Sequence, residues 1–294
     1  MTLTGSAPRT LQEWLQFGRK YLQEHQIRDA ETDAWLLLEA VLHYSRSRFY
    51  LLADEELPSS KAAEYRNLLE KRAAHCPLQQ LTGEAWFFGR SFAVDERVLT
   101  PRQDTEILVE EALKRLQPGQ RILDLCTGSG CILLTLCAEM DVEGTGTDLS
   151  ADALAVAAAN RERLGLSAAL LQGDLLAPVT GSFDMILSNP PYIPTEVIET
   201  LDPEVRDHEP RIALDGKEDG LFFYRRIFRE APAFLKEDGW LGVEIGYDQG
   251  ADCCRLLEEA GYRQIMLQQD LAGLDRVIFA RCPMEQAEKD KGKA

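Results

Sequence analysis

Apolar positions in the first quarter of the chain recur at helical spacing. Leu11, Trp14, Leu15, Phe17, Gly18, Tyr21 and Leu22 form one such series. Ala34, Leu37, Leu38, Val41 and Leu42 form a second, and Ala62, Tyr65, Leu68 and Leu69 a third. Pro58, followed by Ser59 and Ser60, punctuates the start of the last helix, and Cys76-Pro77 closes it. The pattern predicts an all-helical domain over residues 1–76. It carries no obvious chemistry and reads equally as a folding cap for the next domain or as a grip on a partner, a substrate-recognition domain.

The period then changes. Trp86, Phe87, Phe88, Gly89, Phe92, Val94 and Val98 are aromatic and β-branched around a Gly-Arg-Ser turn, which predicts a β-hairpin inside a linker over 77–104. Thr100-Pro101-Arg102 breaks the chain, and a helix is expected over 105–116. From 121 onward, strands (121–126, 143–148, 168–172, 183–188, 240–245, 263–269, 274–280) alternate with helices (130–139, 151–164, 220–236, 250–260). Alternation of this kind predicts an α/β fold over 105–282: a doubly wound, mostly parallel, seven-stranded Rossmann-like sheet. The connection Asp270-Leu271-Ala272-Gly273 is too short for a parallel crossover, so the last strand is expected to run antiparallel. The tail from Pro283 to Ala294 is polar and aperiodic, and disorder is expected there.

Composition narrows the class. The 294 residues are 45% hydrophobic and 28% charged, enough to bury a real core. No apolar run is long enough to span a bilayer, and Met1–Ser6 lacks a basic region followed by an apolar one, so neither a membrane span nor a secretory signal is expected. The seven cysteines show no CxxC spacing and read as buried, reduced thiols of a cytoplasmic protein. His25, His43, His75 and His208 are scattered without metal-ligand spacing, so no metal site is expected. The net charge of −17 argues against broad nucleic-acid binding, which depends on lysine and arginine neutralising phosphates. A local basic patch would still be compatible with it.

Candidate chemistry sits at two strand ends. After the apolar run 183–188, Asn189-Pro190-Pro191-Tyr192 forces a rigid, extended turn, because consecutive prolines continue neither a sheet nor a helix interior. In an open α/β sheet, ligands bind at such strand ends. An amide side chain, a proline carbonyl and an aromatic ring suit a planar –NH2 group: two acceptors for its hydrogens and a π-face for its plane. On its own the turn is also what a plain proline-rich loop looks like.

The second strand end is a glycine turn. Asp124, Leu125, Cys126, Thr127, Gly128, Ser129 and Gly130 run from a strand through the turn into a helix, with Asp148 ending the next strand. Glycines let a ligand approach the backbone, the helix start favours an anionic group, and Asp148 can accept from both hydroxyls of a ribose. A dinucleotide fingerprint would have a third glycine where Leu133 stands. Asp124 repels a pyrophosphate but suits an ammonium. Asp174 and Leu175 offer an acid and an apolar face to an adenine, although Asp174 serves equally as a cap. S-adenosyl-L-methionine, with its adenosine, ammonium and carboxylate, fits these features.

With both strand ends in place, the chain resembles the class I S-adenosylmethionine-dependent methyltransferases, and within them the peptide chain release factor glutamine methyltransferases of the HemK/PrmC type. The resemblance covers nearly the whole chain and is weakest in the N-terminal helices and the tail. It is carried by Pro77–Gly83, Phe88-Gly89, Phe92, Thr100–Glu106, Asp124–Gly130, Ser188–Ile193, Glu209-Pro210, Ala213-Leu214, Asp219–Leu221, Glu244–Gly246 and Asp275–Val277. Asn-Pro-Pro-Tyr alone is shared with adenine and cytosine amino-methyltransferases; the Pro-Arg-x-x-Thr-Glu and Glu-Pro elements are more specific. A proline common in the family's linker is replaced here by Gln103.

The resemblance implies methylation of the amide nitrogen of the glutamine in the Gly-Gly-Gln loop of bacterial release factors, modulating translation termination. It implies that Asn189 and the Pro190 carbonyl hold the substrate amide, beside the cofactor, with Tyr192 against its plane and Pro191 completing the turn. Asp148 would then hold the ribose, and the Gly128–Gly130 backbone the methionine part. Arg102, Glu106 and Glu209 either border the active site or brace the loop after Tyr192. Two rival acceptors are a ribosomal-protein glutamine and, on a flipped base, adenine N6. The latter usually needs an added recognition domain and a basic face. A non-catalytic scaffold would have no reason to keep the Asn189–Tyr192 chemistry.

Overall fold

The computed structural model describes residues 8–282, so the expected disorder of 283–294 lies outside the described residues. Two compact units form, the first spanning the chain to Glu84 together with Asp202–His208. It contains α1 (Leu11–Glu24), α2 (Ala30–Leu42), α3 (Arg46–Leu51), α4 (Ser59–Ala73) and α5 (Leu78–Thr82). Helix α1 starts at a capping box: Thr10 Oγ1 accepts from the Glu13 amide at 3.2 Å, and the Glu13 carboxylate accepts from the Thr10 amide at 3.1 Å. The expected apolar series close on one another, with Trp14, Leu15, Leu22, Leu37, Leu38, Tyr65 and Leu69 all buried. Tyr65 donates its hydroxyl to the Ala34 carbonyl at 2.9 Å, which satisfies a polar tip inside the core.

This unit extends beyond the expected boundary at 76. Pro77 does not end the helical region; it occupies the N-cap of α5, where its missing N–H costs nothing, and Leu78 and Leu81 pack on the helical core. Its later segment, Asp202–His208, carries α9 (Pro203–Arg206) and has no counterpart among the elements expected from sequence. Arg72 ties that segment in. Its guanidinium donates to Asp33 at 2.7 Å, to Glu204 at 2.5 Å and to the Cys76 carbonyl at 3.2 Å.

The second unit begins with the hairpin of β1 (Glu84–Phe87) and β2 (Arg90–Ala93). Its turn is Phe88-Gly89, one residue earlier than the expected Gly-Arg-Ser. Both have positive φ, 49° and 72°, the requirement of a two-residue type I′ turn, so Arg90 already belongs to the strand. Next come α6 (Glu106–Leu113), β3 (Arg121–Leu125), α7 (Cys131–Glu139), β4 (Glu143–Asp148), α8 (Ala151–Arg163), β5 (Ala168–Gln172) and β6 (Phe183–Ser188). The chain continues through α10 (Arg211–Leu214), α11 (Phe222–Glu230), β7 (Leu235–Glu244), α12 (Gly250–Glu259), β8 (Arg263–Gln269) and β9 (Asp275–Arg281). The helix expected over 220–236 stops earlier because Pro232 cannot continue it, and Ala231–Ala233 tighten into a 3-10 turn. That releases Leu235 to begin β7 ahead of the expected 240 and to pair with Phe183.

The sheet has strand order β5-β4-β3-β6-β7-β9-β8. Its pairs are parallel except those of β9, which lies between β7 and β8 and runs antiparallel to both. The doubly wound sheet and the antiparallel last strand are therefore as expected. Chain order reverses at β3 and β6, which pair in register with Leu125 opposite Ser188. The glycine turn and the Asn189–Tyr192 turn thus leave neighbouring strands at the same level, at the switch point where such sheets bind ligands. Apolar clusters cover both faces, one around Phe183, Ile186, Tyr224 and Phe228, the other around Phe92, Leu108, Leu133 and Phe279. All seven cysteines are free; Cys131, Cys253 and Cys282 are buried, whereas Cys76, Cys126, Cys137 and Cys254 are only half-buried.

Candidate active site

Strand β3 ends at Leu125, and Cys126 turns the backbone sharply with φ of 56°. The Thr127 amide reaches back to the Thr147 carbonyl at 3.0 Å and the Gly130 amide to the Thr127 carbonyl at 2.8 Å. Gly128 has φ of 54°, and a Cβ there would meet nothing closer than a carbonyl at 4.0 Å. The backbone is therefore bare where it faces a cavity lined by Thr127, Gly128, Ser129, Asp148, Asp174 and Asn189. Leu175 and Pro191 line the same cavity, so both expected strand-end sites open into one space.

Asp148 organises the turn. Its Oδ2 accepts from the Gly128 amide and its Oδ1 from the Ser150 amide, each at 2.9 Å. Burial pushes its carboxyl above the usual range, while these backbone donors pull it back. Each oxygen keeps a second lone pair for a ligand hydroxyl. Asp174 is exposed and forms an ion pair with Arg226, its two oxygens 2.9 and 3.0 Å from one guanidinium nitrogen. Arg226 carries no sequence signal that singles it out. The buried Asn160 is equally silent in the sequence: its Nδ2 donates to the Ser129 carbonyl at 2.9 Å and to the Ala93 carbonyl at 3.0 Å, locking the glycine turn to β2. No local signal on α8 could reveal it, because its partners lie 31 and 67 residues away.

Asp124 departs from expectation. It is wholly buried and lies outside the cavity lining, reaching the cavity only through the Thr127 hydroxyl, which donates to its Oδ2 at 2.6 Å. Its Oδ1 has no partner, and burial pushes the carboxyl up to about 7. The direct contact expected with a ligand ammonium is replaced by a bond that braces the turn from beneath. Burial is what an acid on a central strand between two covered faces undergoes.

The second turn is also organised from behind. Asn189 Nδ2 donates to Thr105 Oγ1 at 3.3 Å. The Tyr192 carbonyl accepts from Gln249 at 2.9 Å. The Tyr192 hydroxyl donates to Glu244 Oε1 at 3.4 Å, and burial raises that hydroxyl's pKa. Asn189 and Pro191 line the cavity; Pro190 and Tyr192 do not. The ring of Tyr192, expected against the plane of a ligand, packs instead on the core below the turn. The aromatic wall of the cavity is Phe223, which in the sequence looks like any other apolar position of a helix.

Arg102, Glu106 and Glu209 all take part in bonds that brace the linker and the hairpin. Glu209 accepts from the Thr100 amide at 3.1 Å and from Arg102 at 3.0 Å, while Glu106 accepts from the Phe88 amide at 2.7 Å at the hairpin turn. Arg102 also lines the cavity.

Comparisons with known proteins extend these observations. A family model described as the PrmC N-terminal domain matches residues 13–83, and one described as the methyltransferase small domain matches residues 102–201. A release factor glutamine methyltransferase of Geobacter sulfurreducens is 40% identical over 274 residues, covering 92% of this chain and 96% of the relative. One from Cereibacter sphaeroides is 44% identical over 260 residues, covering 87% and 93%. Among solved structures, a methyltransferase from Pyrococcus furiosus matches with a TM-score of 0.53 at 16% identity, over 67% of this chain and 91% of its own, a likeness of fold alone.

Proposed function

Because this chain belongs to the release factor glutamine methyltransferase family, we propose that it methylates the side-chain amide nitrogen of the glutamine in the Gly-Gly-Gln motif of peptide chain release factors, and so modulates translation termination in the cytoplasm. The observation that carries this reading is the pairing of Leu125 with Ser188, which opens the glycine turn and the Asn189–Tyr192 turn into one cavity. S-adenosyl-L-methionine supplies an electrophilic methyl on a sulfonium. The residues fit it: Gly128 has open space where a Cβ would stand, and Asp148 has lone pairs left for hydroxyls. In this reading Asp148 holds the ribose, Asp174 and Leu175 the adenine, and the Gly128–Gly130 backbone at the start of α7 the methionine carboxylate.

A glutamine amide nitrogen is a poor nucleophile, because its lone pair is delocalised into the carbonyl. In this reading Asn189 Oδ1 and the adjoining Pro190 carbonyl, although Pro190 is not itself among the residues lining the cavity, accept its two N–H bonds and fix its orientation. They bind more tightly as nitrogen gains positive charge, so they favour the transition state over the ground state. Orientation of this kind lowers barriers by up to about 7–11 kcal/mol in favourable systems. The surplus proton leaves through the same acceptors to water. Tyr192 and Pro191 stiffen the turn that presents them, and the helical unit grips the release factor.

The test is a partition of label. The protein is incubated with methyl-labelled cofactor and, separately, with a release factor, its Gln→Ala variant, ribosomes and DNA. Label is expected on the release factor only; label on nucleic acid, or undiminished label on the Gln→Ala variant, overturns the reading. Within the site, Asn189→Ala is expected to lose turnover while calorimetric cofactor affinity survives. Normal methylation by this variant would remove Asn189 from the mechanism.

A further inference from the structure

The cavity takes up the ends of β3, β4 and β5, through Thr127, Asp148 and Asp174. Beyond β6 the same edge of the sheet carries the ends of β7 and β8 and the start of β9. Register fixes this: Ser188 lies opposite Val243, Glu244 opposite Val277, and Gln269 opposite Asp275. Two turns leave that edge. Residues 245–249 run from β7 into α12 and hold Tyr247, 62% exposed. Residues 270–274 join β8 to β9 and hold Leu271, wholly exposed, and Leu274, 43% exposed. Apolar residues scattered singly over a surface need no explanation, but three on two adjoining turns beside a ligand-binding edge do.

Both turns are rigid, and both are braced to the Asn189–Tyr192 turn. Asp270 builds the one at the β8–β9 junction. Its Oδ1 accepts from the Ala272 amide at 2.9 Å and the Leu274 amide at 3.0 Å, and its own amide donates to the Leu274 carbonyl at 2.8 Å. The acid is thus spent inside the turn, and residues 271–274 bring no charge of their own in a chain of net charge −17. Arg276 donates to Asp270 Oδ2 at 2.9 Å and pairs with Asp104 at 3.4 Å. Asp104 precedes Thr105, whose hydroxyl accepts from Asn189 Nδ2 at 3.3 Å. The turn after β7 is tied more directly. The buried Gln249 accepts from the Gly246 amide at 2.9 Å and donates to the Tyr192 carbonyl at 2.9 Å. The Ile245 amide donates to the Arg276 carbonyl at 2.8 Å, which joins the two turns.

We infer that Tyr247, Leu271 and Leu274 form a docking surface for an apolar patch of the release factor beside its Gly-Gly-Gln loop. This rests on the reading that Asn189 holds the glutamine amide. The occupant follows from place. A protein whose glutamine reaches Asn189 lays its surface over the strand ends beyond β6, because the cofactor takes up those on the other side. Uncharged turn tips suit an apolar patch rather than a basic one. The bracing holds the docking side chains at a fixed distance from the amide acceptor, so contacts made at the turns also set where the glutamine stands. Turns already ordered lose little entropy when a partner covers them, which makes the exposed side chains effective contacts.

The experiment measures steady-state methylation of an intact release factor by the full chain. It compares wild type with Tyr247→Ser, with Leu271→Met, and with a double variant carrying Leu271→Ser and Leu274→Ser. KM for the release factor is expected to rise about tenfold in the double variant, while kcat at saturation and calorimetric cofactor affinity stay within about twofold. Tyr247→Ser is expected to raise KM in the same way. Leu271→Met keeps the apolar surface and is expected to keep the wild-type KM. An unchanged KM in both serine variants, or a fall in kcat without a rise in KM, overturns the inference. Self-association of wild type in sedimentation that the serine variants abolish, with KM unchanged, overturns it too and gives the surface to a second copy of the chain. Full turnover by Asn189→Ala would sink the underlying reading, whereas an inactive Asn189→Ala beside serine variants of wild-type KM would sink only the docking surface.

Discussion

Asp124 and Glu244 are both wholly enclosed carboxyls, each pushed up to about 7 by burial. For such a group the folded state binds more protons than the unfolded state between the ordinary carboxyl value and the raised one. Stability is therefore greatest at the acidic end of that window and falls as pH rises, by up to about 1.4 kcal/mol per pH unit for each group. Above about pH 7 the slope vanishes. Asp124→Asn keeps an oxygen for the Thr127 hydroxyl and removes the titration. It is expected to flatten the slope and to be more stable than wild type at about pH 8, as read by urea denaturation of the cofactor-free protein. Parallel wild-type and variant slopes would contradict a raised Asp124. Gly128 is the complementary case: its positive φ disfavours any side chain by about 1–2 kcal/mol, and it lines the cavity with open space where a Cβ would stand. Gly128→Val is expected to weaken cofactor binding, measured by calorimetry, far more than it lowers the unfolding midpoint; equal affinity would contradict the placement of the cofactor over this turn.

At the scale of elements, Gly18 decides how closely α1 approaches α4. A Cβ there would stand 2.0 Å from the Tyr65 hydroxyl. Alanine raises helix propensity by about 1 kcal/mol over glycine, but overpacking costs about 1–3 kcal/mol, and displacing Tyr65 breaks its bond to the Ala34 carbonyl. Gly18→Ala is therefore expected to lower stability by about 1–3 kcal/mol in chemical denaturation, and a gain would contradict the contact. Removing Arg72 leaves the buried Asp33 unpaired, so Arg72→Ala is expected to cost about 3–5 kcal/mol. The pair itself is no argument for large net stability, since Glu204 is a partly exposed arm of it.

Several strands (143–148, 168–172, 183–188 and 263–269) are legible from pattern to the residue, because each is a short run bounded on both sides by turn signals, whether it ends up central and buried like 183–188 or on an exposed edge like 263–269. Departures cluster at prolines and turns. Pro77 reads as a stop but begins a helix, Pro232 ends a helix whose apolar pattern runs past it, and the hairpin turn sits one residue earlier, at the pair able to take positive φ.

At the scale of the molecule, the candidate site is legible in the sequence as two strand ends but not as a network. Gly128, Asp148 and Asn189 announce themselves because glycine turns, strand-end acids and double prolines are local signals. Thr105, Asn160, Phe223 and Glu244 carry no such signal, and Thr105 and Asn189 meet although they stand 84 positions apart in the chain. The same limit explains why Tyr192 and Asp124 look like ligand contacts in the sequence: it places them beside the site but does not show that each is turned into the core. The net charge of −17 bears on the acceptor, since a chain this acidic attracts phosphates weakly outside any local patch. On the proposed function, the Asn189–Tyr192 turn presents a release-factor glutamine to the methyl donor held by the Gly128–Asp148 side of the cavity. Fragment mass spectrometry of a release factor, after reaction with wild type and with Asn189→Ala, tests it most directly. One methyl group is expected on the side-chain nitrogen of the Gly-Gly-Gln glutamine with wild type and none with the variant; a methyl group on any other residue, or the same product from both proteins, would contradict that placement.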